Sequence, residues 1–382
     1  MKILSISNCP LDPNLGSGKT VVRYGAELRR LGHEVDTWGP LDYEWAPRLG
    51  RGKKFRQALG AWWAAGRRAR PGRYDVVEYF GDEFWLLASR LRRQRHRPLL
   101  VAHSNGLELL AAAGEKAGRG EPVAGLSRLK QAFIGPLHRR LSPIGFRSAD
   151  AFVGLCRLDV DYIVDHGILP RRRTALVGPG LDDEYLDLPL DARRRGRRVA
   201  FSGSWLWRKG VDQIAQVMTR LLEQMPDLHL DVYGTGGNQG TVLGGFPERL
   251  HPRIRVWPRL SNAELAAGLA AARVFFFPSR YEGFGMATAE AMARGCVPVA
   301  TPTGFGAELS DGVDGFVVPF GDTAAMEARI GQVLTDDAGF ERMSQAARAR
   351  VAGFRWAPVA RKLAEHYESW LAEHTADASG KT

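Results

Sequence analysis

The sequence predicts an α/β protein made of two tandem Rossmann-like, doubly wound domains. Short apolar runs typical of strands alternate with amphipathic runs typical of helices, which predicts parallel sheets covered on both faces. The alternation stops at a polar, basic, proline-containing stretch, residues 186–198, and then begins again. The chain of 382 residues also exceeds the roughly 100–200 residues of one domain.

The first domain is predicted at residues 1–188. Its first strand is the apolar run 2–7, and the first helix follows at 20–32. A second helix is predicted at 157–167. Further strands are predicted at the apolar runs 33–39, 74–80, 98–104, 149–156 and 172–180.

The second domain is predicted at residues 189–354, followed by a helix at 355–374 and a flexible tail at 375–382. Two doubly wound domains place their ligand sites at the carboxyl ends of their strands, so we expect a site in a cleft between them. Strands are predicted at 198–204, 228–236, 273–279 and 297–301, and helices at 211–225, 262–272 and 285–295.

Composition narrows the class of protein. With 45% hydrophobic and 25% charged residues, the chain resembles ordinary globular proteins. No run approaches the roughly 20 apolar residues of a membrane span, and the first apolar run is too short for a secretory signal, so we expect a cytoplasmic protein. Cys9, Cys156 and Cys296 lie far apart, which indicates neither a disulfide framework nor a zinc site.

The net charge of +11 is concentrated in one part of the chain, because residues 51–100 carry 13 Lys/Arg against 4 Asp/Glu. Within residues 53–73, a helical stripe of large apolar side chains has a basic edge. We prefer a helix that packs this stripe on its own domain, and the alternative is peripheral contact with the inner face of the membrane. The stripe is Phe55, Leu59, Trp62 and Trp63, and the edge is Lys53, Lys54, Arg56, Arg67 and Arg68.

The stretch "LDPNLGSGKT" at residues 11–20 ends like a phosphate-binding P-loop. Pro13 stands where the first glycine of that motif belongs, and proline has no N–H to donate. A P-loop enzyme also needs a magnesium-binding acid at a second strand end, and the predicted strand 33–39 offers only Asp36. We therefore do not expect an ATPase.

The most informative stretch is residues 279–322, which begins "SRYEGFGMATAEAMARG". Two glycines allow close approach of the backbone to a ligand, and the N-terminus of the helix that follows favours an anion such as a diphosphate. An acid one turn into that helix can accept hydrogen bonds from ribose hydroxyls. The alternative is a turn glutamate and a solvated helix glutamate. The residues concerned are Glu282, Gly283, Phe284, Gly285, Met286 and Glu290.

This stretch resembles the signature of family 4 glycosyltransferases, whose GT-B fold is a pair of Rossmann-like domains facing across a cleft. The resemblance spans nearly the whole chain, and its motifs are dense in the second domain and sparse in the first. It implies that the second domain binds a nucleotide sugar and the first a variable acceptor. It also implies a last helix that crosses back to the first domain.

A second element, "FSGSWLWRKGVDQI" at 201–214, is similar to the family's other donor-binding motif. The resemblance implies that Arg208 and Lys209 hold the diphosphate leaving group. Cations are disfavoured at a helix N-terminus unless an anion is near, which supports this role. The alternative is that Arg208 and Lys209 are simply solvated. Ser204 stands where many members have arginine, which places more weight on this basic pair.

The remaining site residues also follow from the resemblance. His103 is expected to face the donor sugar from the first domain, with a simple strand-end histidine as the alternative. Gly16 and Gly18 are expected in a loop over the donor phosphates, with Lys19 and Thr20 beginning the helix. The strand-end Gly234 is expected beside the cleft, and Arg259 and Leu260 at the base through their main chain.

No metal or cofactor is expected, because the basic pair and a helix N-terminus can neutralise a diphosphate. Asp159 and Asp161 have the D-x-D spacing of metal-dependent glycosyltransferases of the other common fold. On a helix, however, positions i and i+2 point about 200° apart, so we expect a solvated face there.

These observations predict a retaining, metal-independent glycosyltransferase that moves a hexose from a nucleotide sugar, with UDP as the nucleotide. The acceptor is left open between a saccharide, a lipid-linked glycan and a small molecule. A sugar-nucleotide epimerase or hydrolase on the same fold is the alternative. A basic nucleic-acid-binding protein is a more distant one, because it leaves the glutamate–glycine pattern unexplained. His103 and Glu282 would hold an oxocarbenium-like sugar while the diphosphate leaves.

Overall fold

The computed structural model describes residues 1–13, 16–46, 52–104, 106–107, 135–189, 195–237 and 239–379. The chain divides into two compact units. Unit 1 comprises Met1–Gly180 and Trp356–Thr382, and unit 2 comprises Leu181–Arg355. The first crossing between the units therefore comes before residue 188, where the domain boundary was predicted.

Unit 1 contains, among its described residues, a six-stranded parallel sheet in the order β2-β1-β3-β4-β5-β6. Each apolar run predicted as a strand in this half of the chain contains one of these strands. They are β1 (Lys2–Ser7), β2 (Glu34–Trp38), β3 (Val76–Phe80), β4 (Leu99–His103), β5 (Ala151–Gly154) and β6 (Thr174–Leu176).

The helices of unit 1 cover the sheet, and alternate strand residues form a core with them. Leu4, Val77 and Leu100 are fully buried in one cluster with Ala61 and Leu87 of the covering helices. This arrangement follows from the period of two along a strand. The helices are α1 (Gly16–Arg30), α2 (Pro40–Tyr43), α3 (Lys53–Arg68), α4 (Trp85–Arg92), α5 (Gly135–Ser148) and α6 (Arg157–Asp165).

Unit 2 contains a second parallel sheet, also six-stranded in the described residues, in the order β12-β11-β10-β7-β8-β9. Its strands are β7 (Arg198–Ser202), β8 (His229–Tyr233), β9 (Ile254–Trp257), β10 (Val274–Phe277), β11 (Val297–Ala300) and β12 (Phe316–Val317). Its helices are α7 (Asp183–Leu186), α8 (Val211–Gln224), α9 (Gln239–Leu243), α10 (Asn262–Ala270), α11 (Met286–Ala293), α12 (Thr323–Thr335) and α13 (Asp337–Val351).

The segment predicted as an interdomain linker, 186–198, packs on unit 2 where the structure describes it, at 186–189 and 195–198. The buried Arg294 guanidinium donates to the carbonyl oxygens of Leu188 at 2.6 Å and Pro189 at 3.1 Å. Arg195 donates to backbone carbonyls of the same unit, among them that of Ala272 at 2.8 Å. Polar and basic composition indicated a linker, whereas these arginines satisfy buried backbone carbonyls.

The last helix, α14 (Trp356–Ser379), belongs to unit 1. Leu363 and Tyr367 are fully buried, and the Trp356 ring meets the Tyr24 ring of α1 edge-on at 5.8 Å. The helix continues through Ser379, so the prediction of a flexible tail from residue 375 is wrong over that stretch. Residues 380–382 lie outside the described residues. No helix in the described ranges is long and apolar enough to cross a bilayer.

Candidate functional site

The order of strands in unit 2 indicates where a ligand binds. From β7 the chain moves to β8 and β9 on one side, and it then returns to β10 on the other side. Open parallel sheets bind ligands at the carboxyl ends of the strands where the order reverses in this way. The segments after β7 and β10 meet that description, and they carry the predicted Arg208, Lys209 and Glu282.

Lys209 and Glu282 form an ion pair at this point. The Lys209 Nζ donates to both carboxylate oxygens of Glu282, at 2.7 and 2.9 Å, and both side chains are largely buried. The Ser279 hydroxyl donates to the same carboxylate at 2.5 Å. The structure thus brings these two predicted residues together, so the alternative of a solvated Lys209 is wrong, and their contact with a donor stays a prediction.

Arg208 lies in a 3₁₀ turn, Trp207–Lys209, that is bound to the segment after β10. Its guanidinium donates to the Tyr281 carbonyl at 3.0 Å. Its own carbonyl accepts from the Arg280 amide at 2.9 Å and the Ser279 hydroxyl at 3.1 Å. The two segments therefore hold each other in place at the switch point.

Arg280, which the sequence analysis did not select, strengthens this connection. Its guanidinium makes two hydrogen bonds to Asp212, at 2.8 and 2.6 Å, and stacks 3.5 Å from the centre of the Trp207 ring. A planar guanidinium can pair and stack at once, which lysine cannot do. Arg280 thus fixes the turn that carries Arg208 and Lys209.

The turn before α11 has the backbone that its glycines predict. Gly285 has φ 84°, in the left-handed region, and α11 begins at Met286 as predicted. Gly304, which the sequence analysis did not select, lies behind the turn with φ 52°. A Cβ there would be 2.5 Å from the Phe284 carbonyl oxygen and 2.9 Å from Cβ of Glu282, so this position requires glycine.

Glu290 lies on α11 and is buried, so the alternative of a solvated helix residue is wrong. Burial, and then the negative charge of Glu290, raise the pKa of Tyr185 on α7. Within the turn, Phe284 is buried and stacks on Phe305 at 5.2 Å, while Gly283 is half-buried.

Three other predicted donor residues follow neighbouring strands at the same edge of the sheet. Gly234 comes directly after β8 with φ 68°, and its amide donates to the Trp257 carbonyl at 2.8 Å. Arg259 is exposed and Leu260 is half-buried just beyond β9. Their contact with a nucleotide stays a prediction.

Unit 1 has a switch point of its own between β1 and β3. The Asn8 side-chain amide, after β1, donates at 2.7 Å to the carboxylate of Glu83, after β3. Glu83 and its neighbour Asp82 are both buried. Burial, and then the charge of Asp82, raise the pKa of Glu83 to about 7. The sequence analysis did not select these residues, although "GDE" directly after a predicted strand is a signal that could have found them.

Gly16 and Gly18 lie in the first turn of α1, because the helix begins at Gly16. The prediction of a loop here, with the helix beginning at Lys19, is wrong. A Cβ on Gly18 would collide with the Pro10 carbonyl oxygen, so the helix starts where only glycine fits against the preceding backbone. Residues 14 and 15 lie outside the described residues.

His103, the last residue of β4, is fully buried. Its Nε2 lies 2.5 Å from the Tyr367 hydroxyl of α14 and 3.2 Å from Oε2 of Glu78. The Tyr367 hydroxyl also donates to Glu78. The expected contact between His103 and a donor sugar stays a prediction.

The two acids with D-x-D spacing have different environments. Asp159 is buried, accepts a hydrogen bond from the Ser104 hydroxyl, and has its pKa raised to about 7 by burial. Asp161 is partly exposed and pairs with Arg171 at 3.0 Å. The prediction of a solvated face is therefore wrong for Asp159. In the part of the chain that the structure describes, no group of three His, Cys, Asp or Glu side chains is placed to hold a metal ion.

Comparison with known families identifies the family of the chain. Residues 16–185 match the model described as Glycosyltransferase Family 4, and residues 196–336 match the model described as Glycosyl transferases group 1. The chain belongs to glycosyltransferase family 4. It is 30% identical over 332 residues to D-inositol 3-phosphate glycosyltransferase of Geodermatophilus obscurus, which covers 81% of this chain and 69% of that one.

Solved structures show the same fold. Sucrose-phosphate synthase of Thermosynechococcus elongatus has a TM-score of 0.76 at 20% identity, over 98% of this chain and all of that one (100%). HepE of Anabaena, solved in complex with UDP, has a TM-score of 0.67 at 18% identity, over 97% of this chain and 100% of that one. The predicted α/β fold of GT-B type is thereby confirmed.

Proposed function

We propose that this family 4 glycosyltransferase transfers a hexose from a UDP-sugar with retention of anomeric configuration and without a metal ion. The ion pair of Lys209 and Glu282 at the switch point of unit 2 carries the proposal, together with Arg208 and the N-terminus of α11. These groups supply two cations and backbone amides where a parallel sheet binds its ligand. The complex of HepE with UDP supports UDP as the nucleotide.

The arrangement suits departure of a diphosphate. Glu282 accepts from Lys209 and Ser279 at once, so the lysine is ordered before a donor arrives rather than rotating in solvent. Preorganised positive charge is worth more than charge that must be collected during the reaction. Negative charge that develops on the leaving phosphate is stabilised by Arg208, Lys209 and the amides near Gly285. Glu282 and His103 would hold the oxocarbenium-like sugar.

Retention follows from the same groups. The leaving phosphate oxygen takes the proton of the acceptor hydroxyl on the face that it has just left, so no protein carboxylate has to act as base. An inverting enzyme needs a base on the opposite face. Cationic groups around the diphosphate also perform the neutralisation for which other transferases use a metal ion.

The acceptor is proposed to bind at the switch point of unit 1. Asn8, Asp82 and Glu83 offer an amide and two buried carboxyl groups at the strand ends. Carboxyl groups bind hydroxyls and disfavour a phosphate, so a polyhydroxylated part of the acceptor fits this place. A small-molecule acceptor is supported by the relative named D-inositol 3-phosphate glycosyltransferase. The free thiols of Cys9 and Cys296 agree with a reaction in the cytoplasm.

The test has two steps. A thermal-shift screen against UDP-, GDP-, ADP- and dTDP-sugars identifies the donor, because a ligand raises apparent stability by mass action. Lys209→Met is the control, and it should abolish the shift. NMR of the product's anomeric proton then follows the reaction of the α-linked donor in EDTA. An α-linked product supports the proposal, a β-linked product or lost activity overturns it, and donor breakdown without acceptor indicates a hydrolase or epimerase.

A further inference from the structure

The apolar stripe of α3 faces outward. Leu59, Trp62 and Trp63 are 46%, 42% and 59% exposed, whereas Ala61 and Ala65 on the other side of the helix are fully buried. The preferred prediction, that α3 packs its apolar stripe on its own domain, is therefore wrong for these three residues, whereas Phe55, the fourth, is half-buried. Small side chains let α3 approach the domain closely, and this close packing places the tryptophans on the surface.

The exposed surface continues beyond α3. Leu41 of α2 is 92% exposed, and Trp45 just after α2 is 66% exposed. Gly60 of α3 lies so close to the Tyr43 carbonyl and the Trp45 amide that a Cβ would collide with both, which places Trp45 beside α3. We call Leu41, Trp45, Leu59, Trp62 and Trp63 the aromatic patch. Exposed apolar side chains concentrated in this way mark an interaction surface.

Basic side chains surround the aromatic patch. Lys53 and Arg67 are exposed at the two ends of α3, and Lys54 is half-exposed. The Arg67 guanidinium stacks 5.0 Å from the centre of the Trp63 ring. α3 itself contains no acidic residue. The exposed side chains of α3 are thus apolar at its centre and positive at its ends, while Asp42 beside Leu41 is an exposed acid on α2.

Two of the five predicted basic-edge residues have structural roles instead. Arg56 is largely buried and pairs with Glu44 at 2.8 Å, which binds α3 to the end of α2. Arg68 pairs with Asp36 at 3.0 Å. The other three residues of the predicted basic edge are Lys53, Lys54 and Arg67.

We infer that the aromatic patch lies in the headgroup region of a membrane that contains anionic lipids, with α3 parallel to the surface. Tryptophan and leucine fit the boundary between headgroups and acyl chains, and Lys and Arg at the rim attract anionic headgroups. A nucleic acid offers stacking to tryptophan but gives no apolar environment to Leu41 and Leu59. This inference goes beyond the proposed function and does not depend on it.

Flotation of the full chain with vesicles tests the inference. We expect co-flotation with phosphatidylcholine vesicles that contain phosphatidylglycerol, weakening with salt, and little with phosphatidylcholine alone. Each basic residue near an anionic surface changes partitioning by about fivefold, so replacing Lys53, Lys54 and Arg67 by Gln should weaken binding on the order of a hundredfold. Trp62→Ser with Trp63→Ser should weaken it at least about tenfold.

A matched control removes the same charge elsewhere. Arg255, Arg342 and Arg361 are exposed outside α3, and their replacement by Gln should leave flotation within about threefold. Melting temperatures measured for all variants should lie near that of the wild type, which shows that each variant is folded. Absence of flotation, or equal losses in the control, overturns the inference. So does a Trp62-dependent dimer in light scattering without vesicle binding, or a preference for a single-stranded oligonucleotide.

Discussion

Replacement of Gly304 by alanine tests whether the turn before α11 carries donor binding. Gly304 has φ 52°, and a Cβ at this position would be 2.5 Å from the Phe284 carbonyl oxygen and 2.9 Å from Cβ of Glu282. The neighbouring Phe305 amide donates to the same Phe284 carbonyl at 2.6 Å. Because the obstructing atoms belong largely to the backbone of the turn, a side-chain rotation cannot relieve the contact.

The expected cost has two parts. Left-handed backbone costs an alanine about 1 kcal/mol, and forced displacement in a packed region adds about 2 kcal/mol. Together, about 3 kcal/mol corresponds to a fall of roughly 6–12 °C in the melting temperature of a unit of this size. Displacement of Glu282 by even a fraction of an ångström should also weaken UDP binding and lower turnover by at least about tenfold.

Gly312 supplies the control, because it has φ 74° with no atom within 4 Å of an added Cβ. Gly312→Ala should therefore show only the backbone cost, about 1 kcal/mol, and normal catalysis. Melting curves, calorimetric titration with UDP and initial rates measure both variants. Equal effects of the two replacements would refute the packing argument. A destabilised Gly304→Ala variant with unchanged UDP affinity and turnover would refute the role of the turn.

Glu290→Ala is expected to weaken UDP binding about tenfold, whereas Glu282→Ala should lower turnover and change UDP affinity less. Titrations that show equal losses of UDP affinity in the two variants would contradict this separation of binding from turnover. Lys209→Met should lower the free energy of unfolding by about 3 kcal/mol, because it leaves the carboxylate of Glu282 buried without its ion-pair partner. Denaturant unfolding measures this loss of stability, and a loss below about 1 kcal/mol would contradict the prediction. Glu83→Gln should reduce a pH dependence of stability. Burial raises the pKa of Glu83 from 4.5 to about 7. The contribution of this group to the free energy of unfolding is therefore fully present below pH 4.5 and is lost as pH rises through about 7, which lowers stability by up to about 3 kcal/mol. Asp159, with its pKa raised to about 7, should keep a residual slope in the variant, and an unchanged slope would argue against a buried Glu83.

Local patterns were sufficient for much of the fold and of the donor site. Strands such as β5 and β10 are continuous apolar runs, because a parallel sheet covered on both faces needs no polar side. The start of α11 at Met286 follows from Gly285, whose left-handed backbone few other residues adopt. In both cases the physical cause lies within a few residues of its effect.

The features that the sequence did not indicate have causes that are distant along the chain. His103 contacts Tyr367, 264 residues later, so nothing near His103 in the sequence indicates this partner. The packing face of α3 is set by close approach of Gly60 to the backbone after α2, whereas the pattern of large apolar side chains indicated the other face. Asp82 and Glu83 were not selected from the sequence, because burial of a loop depends on the elements around it.

The position of α14 in unit 1 also has a consequence for biosynthesis. A ribosome adds roughly 5–20 residues per second, so unit 2, Leu181–Arg355, is made in full before α14 appears. Until then the nascent chain lacks Tyr367, the hydrogen-bond partner of the buried Glu78 and His103. Unit 2 can finish folding during translation, while unit 1 completes its core only after the last helix has left the exit tunnel. Unit 1, which contains the first residues to be synthesised, is thus the last unit to complete its fold.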